Sequence, residues 1–225
     1  VKPTLPQPQP HTQNSPADSP IDAFVQQHLD DHQQKLAPQA EPDVLIRRLY
    51  LALIGLPPSP TEVRAFTADP TPAHYRRIVD ELLQRPQFGE RWARHWLDLA
   101  RYADSHGFQR DDLRDSWAYR DWVIQAMNND LPYDQFTIAQ LAGDLLPNAT
   151  REQKIASGFH RNNMFNGEGG RIPEETRVEN IFDRVETTAT VWLGSTFTCA
   201  SRHSLRVASS PLPTSSHRKK PPPGV

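Results

Sequence analysis

Cys199, the only cysteine of the 225-residue chain, is followed four positions later by His203 in the pentapeptide Cys199-Ala200-Ser201-Arg202-His203. A thiol forms a thioether with a porphyrin vinyl group, and the imidazole directly after the second thiol of Cys-x-x-Cys-His ligates the iron of a c-type haem. Here Arg202 stands where the second thiol would be. The segment reads as a degenerate attachment site for haem c, with Cys199 as thioether donor and His203 as candidate iron ligand. One thioether in place of two should weaken attachment. Without a cofactor, the same residues are a small apolar thiol beside an ordinary surface histidine.

A second constellation lies upstream. Arg91, His95, Asp98 and Tyr102 recur at the spacing of one helical face, and Asp104 and His106 follow in the next loop. Such a stripe suits general acid/base chemistry, hydrolysis or metal ligation. The competing reading is an ion-pair network, because Arg94 to Asp98 and Asp98 to Arg101 are also helix-neighbour spacings. No His-Glu-x-x-His is present, no second histidine lies at a ligand interval, and no catalytic set is complete. If the stripe packs into a bundle, Asp98→Ala should remove one partner of a buried charged pair at a cost of about 3–5 kcal/mol. The sequence names neither a reaction nor a substrate.

The elements that must position these residues are helical. Residues 1–20 contain six prolines among Gln, Ser and Thr, the composition of a disordered Pro-rich linker. Residues 200–225 hold five prolines and several Arg and Lys with no Asp or Glu, and read as a disordered Pro/Ser/basic tail. Between them, 21–199 reads as one all-α domain, an irregular multi-helix bundle. Helices are expected over 22–36, 44–54 with Asp43 as cap, and then after Ser59-Pro60-Thr61-Glu62, a capping box with proline at the first helical position. Pro72 opens another, and 87–103 forms the next, with Trp92, Trp96, Leu99, Ala100 and Ala103 as its apolar stripe. Further helices follow around Trp122, Phe136 and Ile155. A long one from Pro173 carries Val178, Ile181, Phe182, Val185, Ala189 and Trp192 on one face. The 44–54 helix is apolar almost all round and is expected to be central.

A net charge of −2 with cations interspersed among carboxylates leaves no footprint for nucleic acid. No apolar run approaches the about 20 residues that span a bilayer.

Several blocks together resemble the planctomycete cytochrome-associated domain of unknown function 1549. They include Gly89-Glu90-Arg91-Trp92-Ala93-Arg94-His95-Trp96-Leu97-Asp98, Tyr119-Arg120-Asp121-Trp122-Val123, Gln140-Leu141-Ala142-Gly143-Asp144-Leu145-Leu146-Pro147 and Gly158-Phe159-His160-Arg161-Asn162. The resemblance runs from about Pro20 to Cys199. It implies an exported, periplasmic or cell-envelope protein whose partners are a cytochrome c-like domain or other domains of a larger envelope protein. It implies no established activity. The redox-linked reading of the Cys/His segment follows from it, and the alternative is a non-catalytic helical interaction or scaffolding domain. Near its end the family typically reads Gly-Leu-x-Leu-x-Cys-Ala-x-Cys-His-Asp-His-Lys. This chain keeps Gly194, Cys199, Ala200 and His203, has Arg202 for the second cysteine, and continues Ser204-Leu205-Arg206. The loss of family character there suggests a shifted reading frame or a degenerate copy, which the coding DNA read in all three frames would decide.

Overall fold

Pro42, Pro60, Pro72, Pro86 and Pro173 each sit in the first turn of a helix, where the missing N–H costs nothing and the fixed φ favours helical backbone. The computed structural model describes residues 20–197 apart from 109, 110 and 168, with backbone alone at 20 and 23. Cys199, His203, nearly all of the Pro-rich segment and the basic tail lie outside the described residues. The described fold is all-α. Its helices are α1 (Pro20–Asp31), α2 (Pro42–Leu53), α3 (Pro60–Ala68), α4 (Pro72–Leu83), α5 (Pro86–Leu99), α6 (Trp117–Asn128), α7 (Tyr133–Ala142), α8 (Arg151–Ala156) and α9 (Pro173–Leu193). Short 3-10 turns occupy Gly143–Leu145 and Ser157–Arg161. Among the described residues no strand forms, only an isolated antiparallel bridge between Ser105 and Leu113.

Capping chemistry sets several boundaries. The Ser59 hydroxyl accepts from the Glu62 N–H while the Glu62 carboxylate accepts from the Ser59 N–H, and Thr150 and Gln153 repeat the device at α8. Thr71 caps α4 through the His74 N–H. At α2 the expected cap is corrected: Glu41 takes that position, Asp43 lies inside the helix, and no side chain caps it. Nor is α2 buried all round. Ile46, Leu49 and Tyr50 face inward with Phe66, Ile78 and Leu82 of α3 and α4, while Val44 remains exposed.

Glu62 also ties this first core to the start of α5. Its carboxylate accepts from Arg85 at 2.8 Å, and the Arg85 guanidinium lies over the Tyr50 ring. Burial raises the Glu62 carboxyl, but hydrogen bonds from Arg85, from the Ser59 N–H and hydroxyl and from Tyr50 outweigh it and hold it down at about 2. A carboxyl lowered by folding contributes stability that is present above its unfolded value near 4.5 and lost as pH falls toward 2. With both side chains about a third exposed, screening leaves about 1 kcal/mol. Urea midpoints of Glu62→Gln should therefore fall less than wild type between pH 4.5 and pH 2, the two curves converging at the acid end.

The second core lies where α5 crosses α6. It buries Ala93, Leu97, Ala100, Tyr119, Val123 and Phe159, with Trp96, Trp122 and Trp192 packed against them. The apolar stripe expected for α5 holds at Trp96 and Ala100, which join this core, and is corrected at Trp92, Leu99 and Ala103, which are exposed. Small residues Gly89, Ala93 and Ala100 face α6, whereas Trp92 and Leu99 point outward at 42% and 52% exposure. The main chains approach too closely at Gly89 for a large side chain on that face.

Candidate functional site: a groove along the last helix

The α5 stripe does not assemble. The helix ends at Leu99 with Ala100 as its cap, and Arg101 takes φ 58°, so Tyr102 leaves the helical path before it can align with Arg91, His95 and Asp98. Arg91 lies against Gly55, where an added Cβ would come within 2.9 Å of its Cδ. His95 is exposed beside the Trp92 ring. Asp98 is exposed, and its carboxylate meets no cation among the described residues. The supposed partner Arg101 instead makes a two-pronged pair with Asp183 of α9, at 2.8 and 2.6 Å. The expectation of a buried network is thus overturned. Asp98→Ala should move a denaturation midpoint by no more than about 0.5 kcal/mol, the usual range for a surface change. Among the described residues no group of three or more His, Cys, Asp or Glu is placed to hold a metal ion.

Tyr102 has a different role. Its hydroxyl donates to Asp104, and burial, then the neighbouring carboxylate, pushes the phenol up to about 12. Arg114, in the same connection, donates to the main-chain oxygens of Ala103, Arg161, Asn162 and Asn163, clamping two loops together. Beside that clamp, His106 Nδ1 and Asn162 Nδ2 are buried without a hydrogen-bond partner.

A concavity runs along α9. It encloses about 680 Å³. One wall is Ile181, Val185, Ala189 and Leu193 of α9, continued by Phe197, and the other is Leu141, Leu145, Ser157 and His160. Arg161, Arg184 and Asp144 add charge to the lining, and Thr188 of α9 adds a hydroxyl. Ile181 and Val185 belong to the apolar face read for the long helix, and they are 44% and 53% exposed because that face looks into the open groove. The α9 helix is held in place by the Arg101–Asp183 pair and by Trp192, whose indole N–H donates to Thr137 of α7. Gly194 ends it with φ 58°, the left-handed cap conformation that glycine adopts without steric cost.

His160 is the titratable group of the groove's inner wall. Its Nε2 lies 3.3 Å from the Leu141 carbonyl oxygen, which can only accept, so Nε2 carries the proton and Nδ1 keeps a lone pair. Burial, reinforced by Arg184, lowers its pKa against the opposing influence of the Leu141 carbonyl and Asp144, which favours the neutral imidazole at pH 7. Residue spacing in the sequence does not reveal Arg184 of α9 as a neighbour of the adjacent pair His160 and Arg161. The signal in reach was the apolar face of α9.

Residues 20–210 match the family model described as PSCyt2, a protein of unknown function (DUF1549). The chain belongs to this family. The DUF1549 match bears out the resemblance and extends through Cys199 and His203, beyond the described residues. No curated protein and no solved structure matches the chain. Within this DUF1549 chain, no helix among the described residues is long and apolar enough to cross a membrane.

Proposed function

We propose that this DUF1549 domain is a redox-linked module of a larger exported, envelope-associated protein, in which a c-type haem is attached at Cys199, ligated by His203 and seated against the α9 groove. The observation that carries the reading is the groove itself, whose wall runs through Leu193 and Phe197 to within two residues of Cys199. Its volume of 680 Å³ lies within the about 300–1,000 Å³ typical of cofactor sites. The lining suits the group: leucine, isoleucine and valine side chains offer an apolar face to a macrocycle, and Arg161 and Arg184 complement its two carboxylates. Neutral His160 adds an imidazole nitrogen in the same groove. Bound haem would supply one-electron transfer, and a cytochrome c-like domain is the fitting partner.

The full chain, expressed with a c-type maturation system, should show a Soret band that survives denaturation and organic extraction, and Cys199→Ala should abolish that covalent signal. Arg202→Cys, which restores Cys-x-x-Cys-His, should raise haem occupancy. Absence of a Soret band in both the native and the Arg202→Cys chain overturns the reading. A second reading, a helical docking module, rests on the outward Trp92 and Leu99 of α5. It predicts that partner binding survives deletion of 200–225 and is lost in Trp92→Ser.

A further inference from the structure

Asn166-Gly167 is the one Asn-Gly pair in the chain. It lies outside any helix, in the connection from the 3-10 turn Ser157–Arg161 to α9, with Asn166 half-buried and Gly167 exposed. Two other asparagines of the same connection are held differently. Asn162 and Asn163 are buried at 5% and 9% exposure, and the Asn163 amide donates to the Met164 carbonyl and to Asn180. After Asn166 the backbone is open: an added Cβ at Gly167 meets only the Phe165 ring, at 3.9 Å, and at Gly169 or Gly170 it meets nothing within 4 Å. The Gly167 N–H has no acceptor among the described residues.

An asparagine side chain deamidates when the next main-chain nitrogen loses its proton and attacks the side-chain carbonyl carbon. Negative charge then spreads over the nitrogen, carbon and oxygen of that peptide unit, and a cation on the oxygen stabilises it. The peptide joining Asn166 to Gly167 carries such a cation. Arg171 Nη1 donates to the Asn166 main-chain oxygen at 2.7 Å. The same guanidinium lies over the Phe165 ring, 5.0 Å from its centre, a cation–π contact that holds it in place. Glycine at 167 leaves the attacking nitrogen free of Cβ crowding and gives the backbone the freedom to close a small ring.

We infer that Asn166 is a self-modification site, at which the Gly167 nitrogen closes on the Asn166 side chain with Arg171 assisting, and the residue ends as aspartate or isoaspartate. Solvent hydroxide takes the Gly167 N–H proton. A bond forms between that nitrogen and Asn166 Cγ, the bond from Cγ to Nδ2 breaks, and Nδ2 leaves as ammonia with a proton supplied by water. Water then opens the cyclic imide at one of its two carbonyls. Opening at Cγ restores the ordinary main chain with an aspartate; opening at the main-chain carbon routes the chain through the side chain and adds a methylene, giving isoaspartate. The balance is one water consumed and one ammonia released, with no oxidant and no cofactor. The new carboxylate falls between the Asn163 carbonyl held by Arg114 and the first turn of α9. This connection contributes no residue to the lining of the α9 groove, so the site stands apart from the haem reading.

Ageing of the full chain at pH 7 and pH 9, folded and in guanidinium chloride, tests this. Tandem mass spectrometry of the tryptic peptide 162–171, extended to Arg177 in Arg171→Gln, reads Asn162, Asn163 and Asn166 separately. Isoaspartyl methyltransferase with labelled S-adenosylmethionine counts the isoaspartate. In the folded chain Asn166 should convert, faster at pH 9 because the attacking nitrogen is an anion, while Asn162 and Asn163 stay intact. Gly167→Ala, which the open backbone accommodates, should slow conversion by about tenfold through a misaligned attack. Arg171→Gln should slow it by about fivefold, the rate equivalent of an exposed charge contact, and Arg171→Lys by less. In guanidinium chloride neither Arg171 variant should differ from wild type, because the hydrogen bond to the Asn166 oxygen is gone. That contrast separates assistance by the fold from the chemistry of the bare dipeptide. An Asn166 that converts only in denaturant, or not at all, overturns the site. A folded Arg171→Gln chain that ages at the wild-type rate, or one slowed equally in denaturant, overturns the assistance by Arg171.

Discussion

Gly89→Ala is expected to destabilise the domain by about 3 kcal/mol, at the upper end of what overpacking a well-filled site costs. Helix propensity argues the other way, since alanine in a helix interior is favoured over glycine by about 1 kcal/mol. Geometry decides the sign. A Cβ on Gly89 would lie 2.5 Å from the Ile124 carbonyl oxygen and 2.5 Å from the Asn128 side-chain carbon, and neither position can be vacated cheaply. The first is main chain. The second belongs to the amide that accepts from the Gly89 N–H at 2.8 Å and donates to the Pro86 carbonyl. Relieving the clash means separating α5 from α6 along the crossing that buries Ala93, Leu97, Tyr119 and Val123. Urea denaturation supplies the check, with Gly170→Ala as control because an added Cβ there meets nothing within 4 Å. A lowered midpoint for Gly89→Ala beside an unchanged control is the expected pattern. Equal midpoints would mean that the two helices can separate at this crossing without loss.

That crossing also explains which parts of the fold were legible in the sequence. Local chemistry was readable: Ser59 and Glu62, Thr150 and Gln153, and prolines in first turns place helix starts through contacts within four residues. The inward face of α5 was not. Large aromatic side chains dominate any apolar pattern, yet Trp92 points outward while Gly89 and Ala93 are buried, because the requirement at that face is close approach of α6. The Arg91, His95, Asp98 and Tyr102 stripe failed for a similar reason. Its spacing assumes that the helix continues, and the left-handed backbone at Arg101, tied to Asp183 some eighty residues later, has no local signal. The groove is a tertiary product in the same sense. Its apolar wall was visible as positions 181, 185 and 189 of α9, but the facing His160 and Leu141 come from two other segments.

Gln140→Leu probes the centre of the second core, where shape and polarity can be separated. Gln140 is fully buried, and its amide oxygen accepts from the Trp96 indole at 2.8 Å and the Tyr119 hydroxyl at 2.7 Å. Its NH2 donates to the Phe136 carbonyl. Leucine fills much of the same volume but offers no acceptor, so the indole N–H keeps only the 3.3 Å approach to the Tyr119 oxygen while the tyrosine hydroxyl hydrogen loses its partner. An orphaned buried donor costs about 1–3 kcal/mol, which places the expected loss for this substitution at about 3 kcal/mol. Tyr119 would be affected most, because burial already raises its phenol well above the ordinary value and ionisation offers no escape. Removing the stranded donor as well should recover part of the stability. Tyr119→Phe combined with Gln140→Leu is therefore expected to cost less than the sum of the single changes, since apolar groups of matched shape replace both halves of that bond. Denaturation midpoints of the four chains in the cycle measure the coupling. Strict additivity would show that the two side chains do not share a bond that matters to folding, and would place the second core's stability in the packing of Trp96 on Phe136 and Trp192 instead.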